Sequence, residues 1–127
     1  MTSLPSAFRR IRLELAREPA HPSGDSAHGY DFLVPLDAEG KIDAGLWKEH
    51  REACRVHRFR PGHDDDQLGL LVKGRAGKWY FDYAQGEEDV EAGFRFGEER
   101  FVVGEYVSIR EDDGRMRTFR VASVGKI

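Results

Sequence analysis

The sequence predicts a mainly β fold: an antiparallel barrel or strongly bent sheet of about seven or eight strands with one short helix. Three observations carry that expectation. Apolar residues recur at every second position through most of the chain, so one side of each extended run can face a core. Turn residues break these runs at short intervals, at Asp37-Ala38-Glu39-Gly40, Pro61-Gly62, Gly74 to Gly77, Gln85-Gly86, Gly104 and Asp112-Asp113-Gly114. Helical spacing is confined to a single stretch. A two-layer α+β arrangement is the alternative.

In chain order, Ile11, Leu13 and Leu15 alternate with Arg10, Arg12 and Glu14, and Tyr30, Phe32, Val34 and Leu36 fall on one side of the next run. Between them, residues 18–27 hold two prolines and small polar side chains, which reads as a flexible loop. The helix is expected over about residues 44–54. Asp43 can cap it, and Leu46, Trp47, His50, Ala53 and Cys54 recur at spacings of three and four. Further strands are expected around Trp79, Phe81 and Tyr83, then Val107 and Ile109, then Phe119 and Val121, with Val124 out of phase. Asp113-Gly114 is the sharpest turn signal, because a two-residue type I′ turn needs positive φ at both central positions. It predicts that Glu105 to Glu111 pairs antiparallel with Arg117 to Val124.

Of the 127 residues, 39 are apolar side chains larger than alanine. That suffices for one core, so a single globular domain over 1–127 is expected, one that folds without disulfide or metal. No apolar run approaches the roughly 20 residues that a membrane-spanning helix needs. The N-terminus has charges inside every apolar run and reads as no secretory signal, and the lone Cys54 fits a reducing compartment; a cytoplasmic, soluble protein is expected.

The net charge of -3 conceals a partition: residues 1–63 sum to +1, residues 64–113 to -8 and residues 114–127 to +4. An acidic middle serves solubility first. The balance argues against a nucleic-acid partner, and no polybasic membrane signal is present.

Three sites could carry chemistry. His57, His63, Asp64 and Asp66 offer nitrogen and oxygen ligands around a Pro-Gly turn, although the spacing matches neither a calcium loop nor a zinc motif. Trp79, Tyr80 and Tyr83, with Phe81, could form a stacking surface, and Trp47 could line a pocket beside them; alternate large aromatics are more often core. His50 and Cys54 stand four apart, the spacing of a thiol–imidazole pair, yet a cysteine among apolar neighbours is usually inert. His28 lies at a strand start with no nucleophile near it in sequence. No phosphate loop, nucleophile elbow or paired-carboxylate motif exists, so no catalytic residue and no cofactor is predicted.

The expectation is therefore a non-enzymatic binding module for a protein or small-molecule ligand. A metal-assisted hydrolase or isomerase at the His57 loop is the first alternative, and single-stranded nucleic-acid binding through the aromatic strand the second. A homodimer could also form, through sheet pairing at an exposed edge strand or through the aromatic face.

Overall fold

Each alternating run folds as a strand that pairs antiparallel with the next: β1 (Phe8–Leu15), β2 (Asp25–Pro35), β3 (Arg55–Phe59), β4 (Gln67–Lys73), β5 (Trp79–Tyr83), β6 (Glu91–Phe94), β7 (Tyr106–Arg110) and β8 (Met116–Lys126). β1 also pairs with β8, which closes the sheet into a barrel and excludes the two-layer alternative. The computed structural model describes residues 4–127 except 20, 63–66, 75–77, 84–90, 95, 97 and 112–113, and only the backbone of 83 and 91–94.

Period two places Ile11, Leu13, Tyr30, Phe32, Val34, Val56, Leu71, Trp79, Phe81, Val107, Ile109, Phe119 and Val121 inside, all buried. Aromatic rings fill the centre edge to face. Tyr30 meets Phe81 at 5.1 Å and Phe119 at 5.2 Å between ring centroids. At this diameter side chains fill the interior, as the buried rings among the described residues do.

The connections alternate between the two ends of the barrel. At one end the β2–β3 connection carries α1 (Ala44–Glu49), whose Asp43 cap accepts the Leu46 N–H at 3.1 Å. The helix is shorter than the three turns that the spacing suggests. His50 leaves helical geometry at φ -131, and a separate 3₁₀ turn, Arg51–Ala53, delivers Cys54 to β3. Trp47 is the reason for this placement. It donates its indole N–H to the Leu71 carbonyl at 2.9 Å and packs edge-on against Trp79 at 4.9 Å, so α1 covers this opening. Phe96 and Phe101, from the β6–β7 connection, complete the plug against Phe32 and Phe81.

Two details of register explain apparent exceptions. Arg12 faces Ser123 while Leu13 faces Val121, so Ala122 is a bulged extra residue, and this returns Val124 to the inner side opposite Ile11. The β7–β8 hairpin pairs Tyr106 to Arg110 with Arg120 to Met116 as expected. Its turn is longer than the two-residue type, however. The Glu111 N–H reaches the Arg115 carbonyl at 3.0 Å, leaving three residues between, of which Gly114 takes φ 80; Asp113 lies outside the described residues. In the segment 18–27, Glu18 and His21 bridge each other, and Asp25–Ala27 open β2. Among the described residues no helix is long and apolar enough to cross a membrane.

Gly29 shows how tightly β1 and β2 approach, since a Cβ there would lie 1.9 Å from the Leu13 carbonyl oxygen. We expect Gly29→Ala to cost about 3 kcal/mol or to prevent folding, because backbone rather than a side-chain tip must move. Gly125→Ala, where a Cβ meets nothing within 4 Å, is the comparison and should stay within about 0.5 kcal/mol. Urea denaturation midpoints of the two variants decide the point.

Candidate functional site

At the end opposite α1 the inward positions stay in phase but cease to be apolar. Two residues from Tyr30 stands His28, two from Val56 stands Arg58, two from Ile109 stands Glu111, and two from Phe119 stands Arg117. The pleat therefore turns four polar side chains into the barrel mouth. Glu111 is their centre. Its carboxylate accepts the Tyr30 hydroxyl at 2.6 Å and Arg58 at 3.1 Å, lies 3.2 Å from His28 Nε2 through both oxygens, and pairs with Arg117 Nε at 3.0 Å. From there the network runs outward: Arg58 donates to Gln67 Oε1 at 2.8 Å, and Arg117 pairs with Glu18, which holds His21 at 2.9 Å.

Arg58 and Glu111 are 2% and 4% exposed. Burial by itself would push the Glu111 carboxyl up, but the hydrogen bonds from His28 and Tyr30 and the charges of His28 and Arg58 outweigh it and hold the group down at about 2. A carboxylate that stays ionised and is surrounded by donors makes a poor general acid or base. The cluster closes the barrel mouth by ionic and hydrogen-bonded contacts, as α1 and the phenylalanines close the other end by apolar ones.

The residues singled out from the sequence fall elsewhere. Trp47 and Trp79 are core side chains, as is Phe81. Tyr80 is half-buried on the outer side of β5, where its ring lies so near Gly74 that a Cβ there would be 2.6 Å from it; the side chain of Tyr83 lies outside the described residues. The aromatic strand thus presents neither Trp79 nor Phe81 for stacking. His57 alternates with inward Arg58 and packs its ring edge-on to Phe59 at 6.2 Å. His63, Asp64 and Asp66 lie outside the described residues. Among those described, no three His, Cys, Asp or Glu side chains are grouped to hold a metal.

Cys54 and His50 do not form a thiol–imidazole pair. The thiol is fully buried and donates to the His50 backbone carbonyl at 3.6 Å, while the imidazole packs edge-on against Phe8 at 5.6 Å. Burial pushes the Cys54 thiol up to about 12.

Outside the barrel, the β1–β2 connection, the start of β2, β7 and β8 line a cleft of about 800 Å³. Glu14, Arg17, Ser26, Tyr106, Thr118 and Arg120 contribute to its walls. Tyr106, on β7, lies directly across from Arg120 on β8, which in turn lies across from Glu14 on β1, so one row of outward positions crosses three strands. No protein-family model, curated protein or solved structure matches the chain.

Two measurements check these assignments. Because Glu111 is held below its ordinary value of 4.5, its stabilising contribution is complete above about pH 4.5 and is lost as the pH falls towards 2. Thermal unfolding followed across that window should show the loss, and Glu111→Gln should flatten the profile while lowering stability by about 3 kcal/mol at neutral pH. Cys54 should react with iodoacetamide at pH 7.5 only on the timescale of unfolding, at least a hundredfold below a small-molecule thiol; rapid labelling of the folded protein would place the thiol at the surface.

Proposed function

We propose that the protein is a non-enzymatic binding module of the cytoplasm that recognises a small polar molecule in the outer cleft between the β1–β2 connection and β7–β8. The observation that carries this reading is a barrel filled along its axis and plugged at both ends, beside an open polar concavity of about 800 Å³. An interior ligand would have to displace packed rings at one end or a buried ionic cluster at the other. The cleft demands neither. Its volume lies in the range of small-molecule sites, and it brings guanidinium, hydroxyl and phenol groups together from the β1–β2 connection, β2, β7 and β8.

Two buried groups of otherwise reactive type are poorly suited to catalysis. Glu111 is ionised and enclosed, Cys54 is a buried thiol, and neither borders the cleft. The cleft's own side chains are binders: Arg17 and Arg120 donate, Ser26 and Thr118 donate or accept, and Tyr106 offers a flat face.

The test is a 15N-resolved NMR titration with a panel of small polar metabolites. Saturable shifts should centre on the amides of Ser26, Tyr106 and Thr118, with each ligand recovered unchanged. Tyr106→Ala, an exposed substitution that leaves the far-UV spectrum intact, should weaken binding about tenfold. Conversion of any ligand, or shifts centred on Tyr30 and Glu111, would overturn the proposal.

A further inference from the structure

The cleft's charge specifies its ligand further, on the footing that the cleft is the binding site. Barrel closure lays the first strand beside the last, and both stretches carry an excess of basic residues. Residues 8–17 contain Arg9, Arg10, Arg12 and Arg17 against Glu14, and residues 114–127 contain Arg115, Arg117, Arg120 and Lys126 with no acid. Of these eight basic side chains, Arg12 is paired with Glu14 and Asp31 and Arg117 with Glu111 and Glu18, while Arg17 and Arg120 line the cleft.

Of the two acids that line the cleft, Glu14 is ion-paired, receiving Arg12 Nε at 2.7 Å, and the Asp25 carboxylate accepts the Ala27 N–H at 2.9 Å. Arg17 and Arg120 are exposed and make no ion pair among the described residues. Two guanidinium groups that line one cleft match a tetrahedral oxyanion better than any neutral group. Tyr106 adds the second element. It is 59% exposed and sits across the ladder from Arg120, so a flat ring joined to the anion can lie against its phenol face.

We infer that the outer cleft binds a phosphorylated small molecule carrying a planar ring, of mononucleotide size, with Arg17 and Arg120 holding the phosphate and Tyr106 stacking on the ring. The cleft volume favours one such unit over a polymer.

The probes are adenosine 5′-monophosphate, adenosine, inorganic phosphate and an eight-residue thymidine oligonucleotide, titrated by NMR and calorimetry. The monophosphate should bind at the cleft amides, adenosine should be at least tenfold weaker, and raising the salt should weaken the monophosphate alone. Arg17→Ala and Arg120→Ala should each cost about tenfold for the monophosphate. Tyr106→Ala should erase its advantage over inorganic phosphate. All three side chains are exposed, and circular dichroism verifies that the variants fold. Equal affinity for adenosine and its monophosphate would overturn the inference. So would an oligonucleotide that binds a hundredfold tighter with shifts spreading to Arg10 and Lys126, which would mark a nucleic-acid track. If uncharged metabolites fill the cleft and the monophosphate does not, the binding module stands and the anionic ligand fails. If no compound enters the cleft, both fail.

Discussion

Pairing β1 with β8 removes both edges of the sheet and sets a closed interior, and most of the remaining structure follows from that closure. Every inward position now faces a fixed volume, which selects large rings that interlock across it: Tyr30, Phe32, Phe81 and Phe119. Closure also demands local bending. The bulge at Ala122 and the register shift between Glu14 and Leu15 lie on the strands that make or flank the closing seam. A ladder without edges offers no strand for a second copy to extend, so sheet pairing, one of the routes to a dimer that the sequence suggested, has no free edge to use.

Both barrel ends must be shut, and the chain solves the two differently. At the α1 end the plug is apolar, with Trp47, Phe96 and Phe101 over the last core rings. At the other end the plug is ionic. Bringing Arg58 and Glu111 out of water is costly, and the cost is offset only because the carboxylate finds Tyr30, His28 and two guanidinium groups at hydrogen-bonding distance. An apolar substitute of the same shape could be equally stable. What the ionic version adds is directionality, since four strands must present their side chains in one register for the network to close. Breaking the network at one member strands the others, which is why it behaves as a unit.

The strands, the hairpin and the helix at one opening were legible because they rest on period two, on an Asp-Gly turn and on an Asp cap, all of which are local. The ionic cluster was not, for a physical reason: Arg58, Glu111 and Arg117 read as solvent-facing when judged by residue type, and only the phase of the alternation says otherwise. Carrying the inward phase of Tyr30, Val56, Ile109 and Phe119 two residues further would have found all four polar members. Phe96 and Phe101 lie in a connection without alternation, so nothing local distinguished them from exposed residues. The helix was read too long because His50, Ala53 and Cys54 keep helical spacing across a junction where the backbone changes to 3₁₀ geometry. Alternate aromatics suit either stacking or packing, and the burial of Trp79 and Phe81 favours packing.

Charge is where closure and recognition meet. A linear tally averages an acidic middle against a basic tail, but the fold does not average them: it joins the basic tail to the basic first strand. Arg117 is drawn inward to balance Glu111 and Arg12 is spent on Glu14 and Asp31, whereas Arg17 and Arg120 project from the same seam into an open cleft. Two guanidinium groups left in solvent gain little from the fold itself, since exposed charges contribute little to stability. Their place in the lining of one cleft, beside an exposed tyrosine, is what the proposed anionic ligand would use. A filled barrel can change that outer surface freely, because none of the cleft's charged or hydroxyl side chains packs in the core.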